Sequence, residues 1–189
     1  MSTRAYIFAE IPSDMYGKSI NFDASKLPAT PGKYSYEKKC TVPVEVQERI
    51  PLYIPQSMDS NVQNGVRIVG PKYVGIYYHS DGYPDGVGRE LESKYDSIDK
   101  VLNLIAGGNC SCLWDYYEAY IDRYPDSARD EQPTFELDVN EILSEYGDGN
   151  IEYIYVFRSG KWSVYSIGDN YKKARTIEQA VKLYEKSHY

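Results

Sequence analysis

A chain of 189 residues that is 42% hydrophobic and 14% aromatic can bury one sizeable core, and one domain over residues 1–189 is expected. Its formal charge of -7 argues against a binder of phosphate backbones, which gathers Lys and Arg on one face; an acidic surface favours basic partners instead. No apolar run reaches the roughly 20 residues of a membrane helix, and the start "MSTRAYIFAE" lacks a signal-peptide h-region, so a soluble, cytoplasmic protein is expected.

Residues 3–11, "TRAYIFAEI", alternate Ala5, Ile7, Ala9 and Ile11 with Arg4, Tyr6, Phe8 and Glu10, the period of a strand. Residues 12–65 then carry scattered Pro, Gly, Ser and Asp without period and read as an irregular insertion or flap; Pro43, Pro51 and Pro55 confine any pairing there to edges. "VRIV" from Val66 and "YVGIYYH" from Tyr73 read as two strands around a Gly-Pro turn. A dense loop follows, then a helix with Asp96 as N-cap, Ile98, Val101, Leu102 and Ile105 as its apolar stripe, and Gly107 and Gly108 as its stop.

"SCLWDYYEAYIDRYP" is expected to be helical up to Pro125, with a polar linker over 125–137. "DVNEILSEYG" opens with a capping box, Asp138 and Glu141, and stops at Gly147. "IEYIYVFRSGKWSVYSI" is two alternating runs around Ser159, Gly160 and Lys161, a hairpin. Thr176 caps a last helix whose inward face is Ile177, Ala180, Val181 and Tyr184. The order predicts an α+β fold: a mainly antiparallel sheet with three to four helices packed on it and a long irregular N-terminal segment.

The dense loop, "YYHSDGYPDGVGREL" over residues 77–91, admits three readings. As a structural corner, Asp81 turns the chain, Pro84 fixes φ and Asp85 caps a helix opening at Gly86. As a metal site, His79, Asp81 and Asp85 converge on a cation. As an anion cradle, the amides of "DGVG" meet a phosphate, although two aspartates would repel it. The corner is the expected outcome. Neither a metal nor any other cofactor is expected, because Cys40, Cys110, Cys112, His79 and His188 supply no zinc-ligand spacing. The three cysteines fit a reducing compartment without disulfides. With no G-x-S-x-G elbow and no cysteine beside an obvious base, no catalytic residue is assigned and no enzyme is expected.

The segments "STRAYIFAE", "IYYHSDGYPDGVGREL", "KVLNLIAGGNCSCL" and "YIYVFRSGKWSVY" resemble small proteins of bacteriophages and other mobile elements that share an M-x-T-R-A start and a Y-x-H-x-D-G-Y-P-x-G-V-G segment. The resemblance covers under half of the chain. It implies a setting, an accessory gene of a mobile element in a Gram-positive, gut-type bacterium, where small acidic proteins often counter host immunity, the anti-CRISPR inhibitors among them. It implies no catalytic role for His79, Asp81 or Tyr83.

Acidic stretches and 21 tyrosines suit binding to a basic host protein or ribonucleoprotein, a CRISPR effector being the sharpest expectation, with no direct nucleic-acid or membrane contact. The candidate partner-binding residues are His79, Asp81, Tyr83, Asp85, Glu90, Glu92, Glu141, Glu145 and Tyr146. The competing reading is a metal-dependent enzyme or small-nucleotide binder using the loop from His79 to Asp85.

Overall fold

Strand β1 (Ala5–Glu10) forms where small and branched side chains alternate with aromatic ones, and it becomes the centre of the main sheet because both of its faces are apolar. The computed structural model describes residues 3–188 other than 36, 46–47, 63–64, 115, 125–132 and 148–149. Among the described residues, 12–69 carry six short strands, β2 (Ser19–Ile20), β3 (Gly32–Ser35), β4 (Cys40–Pro43), β5 (Leu52–Tyr53), β6 (Met58–Val62) and β7 (Gly65–Val69). They pair as β2 with β5, β3 with β4 and β6 with β7, all antiparallel. The "VRIV" segment therefore pairs backwards, within this region, and not with the strand that follows it.

β8 (Tyr73–Tyr78) lies antiparallel to β1 and is buried along its whole length. After the corner come α1 (Arg89–Lys94) and α2 (Ile98–Ala106). Ser97, extended at φ -132, takes the N-cap position of α2, and Asp96 instead binds Lys100 Nζ at 2.7 Å. Next are β9 (Cys110–Leu113), β10 (Tyr117–Ala119), a single helical turn α3 (Tyr120–Arg123), β11 (Thr134–Glu136) and α4 (Val139–Tyr146). The expected helix over "SCLWDYYEAYIDRYP" is thus two antiparallel strands and one turn of helix. A short apolar run fits either period, and here the outer edge of β8 decides it. Asn109 Oδ1 accepts from Tyr77 N at 2.9 Å and docks the segment there. Of the expected linker, residues 125–132 lie outside the described residues, and 134–136 pair with β8.

β12 (Tyr153–Arg158) and β13 (Lys161–Ser166) make the expected hairpin. Ser159 at φ 50 and Gly160 at φ 75 give the left-handed pair that a two-residue turn needs. α5 (Ile177–His188) closes the chain, and Thr176 Oγ1 accepts from Gln179 N at 3.2 Å as its cap. The main sheet runs β10-β9-β8-β1-β12-β13, with β11 beside the other end of β8. It is mixed, not mainly antiparallel: β1 is parallel to β12 and β8 is parallel to β9. Hairpin chemistry specifies only the neighbour across a turn. The long-range neighbours of β1 and β8 follow from how the helices cross the sheet.

Two cores sandwich the sheet. Ala5, Ile7, Ala9, Ile76 and Tyr155 pack with Leu91, Ile105, Ile177 and Val181 of α1, α2 and α5. Phe8, Tyr73, Tyr77, Ile154 and Val156 pack on the opposite face with Ile142 of α4 and with Tyr120 and Tyr171. Among the described residues eight tyrosines are buried, and several tie their hydroxyl to backbone: Tyr155 donates to Gly82 O at 2.8 Å, and Tyr78 Oη accepts from Leu113 N at 3.1 Å. Much of the tyrosine content therefore cross-links the core. Among the described residues no helix is long and apolar enough to cross a membrane.

Candidate functional site

The corner after β8 is built from backbone. His79 N donates to Cys110 O at 3.0 Å and Ser80 N to Ser111 O at 3.2 Å, which extends the ladder past Tyr78. Asp81 turns the chain at φ 57, a left-handed conformation that Asp tolerates. Gly82 N then donates to Thr3 O at 3.0 Å, and a Cβ on Gly82 would stand 2.9 Å from Ala5 Cβ, so only glycine lets the corner close on β1. The helical turn starts at Pro84, and Gly86, at φ -97 and ψ -107, is its kink and not the opening of the helix. Asp85 does not cap: its carboxylate binds the Arg89 guanidinium, whose Nη2 lies 3.7 Å from Glu185 Oε1 of α5.

The amides expected to cradle an anion are already used. Gly86 N and Gly88 N donate to Tyr83 O at 3.0 and 3.5 Å, and Val87 N donates to Asp81 O at 3.2 Å. His79 is likewise engaged, with Nδ1 2.9 Å from Tyr77 Oη and Nε2 3.3 Å from Tyr124 Oη, and with the Tyr120 and Tyr124 rings edge-on at 5.4 and 5.3 Å. A cation at His79 would have to displace a phenol. Among the described residues no three His, Cys, Asp or Glu side chains gather as a cation site. Close by, Glu118 is buried beside Arg123 Nη1 at 3.3 Å; burial pushes its carboxyl up against the pull of that guanidinium.

The chemistry at the corner's surface is aromatic. Tyr83 stacks on Tyr184 of α5, centroids 5.1 Å apart and planes 6° from parallel, and meets Trp114 edge-on at 6.4 Å. Trp114 is 41% exposed. Three segments distant in the chain, the corner, the loop after β9 and the last helix, thus build one surface patch. Sequence reasoning had Tyr83, missed Trp114, and placed Tyr184 only on the inward stripe of α5. The stripe spacing was the available signal for Tyr184; no local pattern marks Trp114.

The acidic candidates divide. Along 81–99 three of the six carboxylates are neutralised one helical turn away: Asp85 by Arg89, Glu90 by Lys94 at 2.5 Å, and Asp96 by Lys100. Asp81 and Glu92 are exposed and make no ion pair among the described residues. On α4, Asp138 Oδ1 accepts from Asn140 N and Glu141 N, and Glu141 Oε2 accepts from Leu137 N at 3.0 Å. Tyr146 is half-buried, 4.4 Å from the Tyr6 ring, and donates to Glu136 Oε1 at 2.6 Å. α1 belongs to one core and α4 to the other, on opposite faces of the sheet, so Glu141, Glu145 and Tyr146 do not share a surface with Tyr83, Glu90 and Glu92.

The cysteines do not converge with either group. Cys110 and Cys112 are buried and Cys40 is exposed; burial pushes both buried thiols up, and Cys110 Sγ donates to Cys112 O at 3.1 Å. Comparison of the chain with protein-family models, with curated proteins and with solved structures returns no match.

Proposed function

We propose that the protein is an anti-defence factor of a phage or mobile element: a stoichiometric inhibitor that docks on a basic surface of a host nucleic-acid-handling complex, a CRISPR effector nuclease first among them. The observation that carries this reading is the surface patch of Tyr83, Tyr184 and Trp114 with carboxylates at its margin, Asp81 and Glu92 exposed and Glu185 shared with Arg89. Tyr and Trp give large contact areas with few rotors to freeze, which is why they dominate interface anchors. Rim carboxylates steer a basic partner into encounter. The α4 face lies across the sheet and is not part of this surface. The resemblance to mobile-element proteins supplies the setting.

The test is a tagged copy expressed in a related host, captured and identified by mass spectrometry, alongside Trp114→Ala and Tyr83→Ala copies. A large nucleic-acid-handling complex captured by the natural chain and lost with either variant supports the reading. No such complex, or one retained by both variants, overturns it.

A further inference from the structure

Six large apolar side chains stand exposed among the described residues, and three of them, Trp114, Ile167 and Leu183, belong to one continuous surface. Trp114 meets Tyr83 edge-on, and Tyr83 stacks on Tyr184. Tyr184 in turn lines a cavity of about 350 Å³ between β13, the turn after it and α5. Val164 and Ala180, both buried, give this cavity an apolar floor, while Ile167 and Leu183, 39% and 49% exposed, stand at its mouth. A contiguous apolar surface of this kind marks a place where another molecule lies. The volume is at the small end of ligand cavities, which run from roughly 300 to 1,000 Å³, and suits an anchoring side chain.

Spacing along α5 gives the shape of the occupant. The helix lines the cavity with Ala180, Leu183, Tyr184 and Ser187, the i, i+3, i+4, i+7 row of one helix face. This row shares Ala180 and Tyr184 with the inward stripe but takes Leu183 and Ser187 in place of Ile177 and Val181, so it runs along the border between core and solvent. A ridge of that spacing beside a groove receives the ridge of a second helix, and the row is about two turns, roughly 10 Å, long. Charge gives the occupant its sign. Three charged side chains line the cavity, Glu152, Asp169 and Arg175, and the last two are paired with each other at 2.5 Å. Glu152 makes no ion pair among the described residues and leaves the lining with one negative charge, which favours a cationic neighbour.

We propose that the groove between β13 and α5 receives a basic amphipathic helix of the same partner that docks on the aromatic patch. One apolar side chain of that helix fills the cavity, and a Lys or Arg beside it faces Glu152. Tyr184 joins the two surfaces, since it stacks on Tyr83 and lines the groove, so a single partner covers both. The proposal rests on the inhibitor reading for the identity of the partner; the groove rests on β13 and α5 alone.

Fluorescence anisotropy of the full chain with dye-labelled peptides tests it. The probe is a peptide of leucine, alanine and lysine, about 15 residues long so that it can form a helix, with leucines at i, i+3, i+4 and i+7. One control has the same residues with the leucines at every second position, which splits them between two sides of a helix; the other has glutamate for lysine. The probe should bind, and each control should bind at least about tenfold more weakly. Leu183→Asp and Ile167→Asp, at exposed positions, should each weaken the probe about tenfold while the melting temperature stays unchanged. Either change adds a negative charge, so plain attraction between an acidic chain and a basic peptide would be kept or strengthened. Ile50→Asp should be silent: it is an exposed apolar position beside Arg49, which pairs with Asp122 of α3, at the edge of the sheet opposite β13. No binding, equal binding of either control, or undiminished binding to a folded Leu183→Asp chain would each overturn the proposal. A natural chain that is dimeric and becomes monomeric with Leu183→Asp would give the groove to a second copy and overturn it too. The capture experiment separates the two readings. A complex held as firmly by Leu183→Asp as by the natural chain sinks the groove and leaves the inhibitor. No complex, with the probe still bound and lost in Leu183→Asp, sinks the inhibitor and leaves the groove as a helix site.

Discussion

The ring of Tyr83, on the corner after β8, lies parallel to the ring of Tyr184, on the last helix, at 5.1 Å. This stack, with the edge-on contact to Trp114, makes Tyr83 the middle ring of the aromatic patch, and it sets how the patch should respond to truncation. Tyr83→Ala or Trp114→Ala should cost about 2 kcal/mol or more of partner binding, roughly thirtyfold, seen in the dissociation rate by surface plasmon resonance. Asp81→Asn, which keeps a residue tolerant of left-handed backbone, and Glu92→Lys should slow association and reduce its dependence on salt. Glu141→Lys and Glu145→Lys, on the far face, should be silent. Rates altered by the α4 reversals and unmoved by the corner variants would place the interface on the other side of the sheet.

Tyr155→Phe should destabilise the fold by about 1 kcal/mol, because Gly82 O is left in the core without its donor. The expected result is a lower urea midpoint with an unchanged slope. Gly82→Ala should cost more, since its Cβ would press on the Ala5 Cβ and Thr3 O. If Gly82→Ala melted like the natural chain, the close approach of the corner to β1 would be refuted.

Burial pushes the Glu136 carboxyl above its ordinary value; the Tyr146 hydroxyl opposes this, and the charges of Glu141 and Glu145 add to it. An acid whose folded value is raised holds its proton where the unfolded chain has released it, so its contribution to stability falls as pH rises through the ordinary glutamate range and levels off above the folded value. Glu136→Gln keeps an acceptor for Tyr146 and removes this titration. The natural chain should therefore lose stability relative to the variant as pH rises from the ordinary glutamate range, about 4, upward, measured as the difference between their urea midpoints. A difference that is flat, or grows the other way, contradicts the sign.

Cys110 and Cys112 are buried with thiols pushed up, whereas Cys40 stands exposed on β4. At neutral pH one thiol should react quickly with a chromogenic disulfide reagent, and all three only after denaturation. Cys40→Ser should remove the fast phase entirely.

The elements that were legible in the sequence are those fixed by neighbours in the chain. Ser159 and Gly160 specify their hairpin, Asp138 and Thr176 their helix starts, and the β1 alternation its strand. What was hidden depends on partners far away. Whether "SCLW" is strand or helix is decided by the edge of β8, and β1 lies parallel to β12 through packing that no turn encodes. At the site, Tyr83 stood out by its motif, whereas the patch it forms with Trp114 and Tyr184 exists only once the loop after β9, α5 and the corner are folded together. Asp85 looked like a cap because its spacing is right; Arg89, one turn on, takes its carboxylate instead.

The pairing of Ala5 with Tyr153 places the first strand of the chain against one of the last. A chain leaving the ribosome must therefore carry β1, apolar on both faces, with one edge unpaired until β12 has emerged, and sheets closed by such distant pairings form slowly. Fragments ending before Tyr153 should be taken up by chaperones or aggregate, and a split of the gene within the main sheet should yield halves that fold only when co-expressed. The delay between translation and a folded sheet would then be set by emergence of the chain through β12.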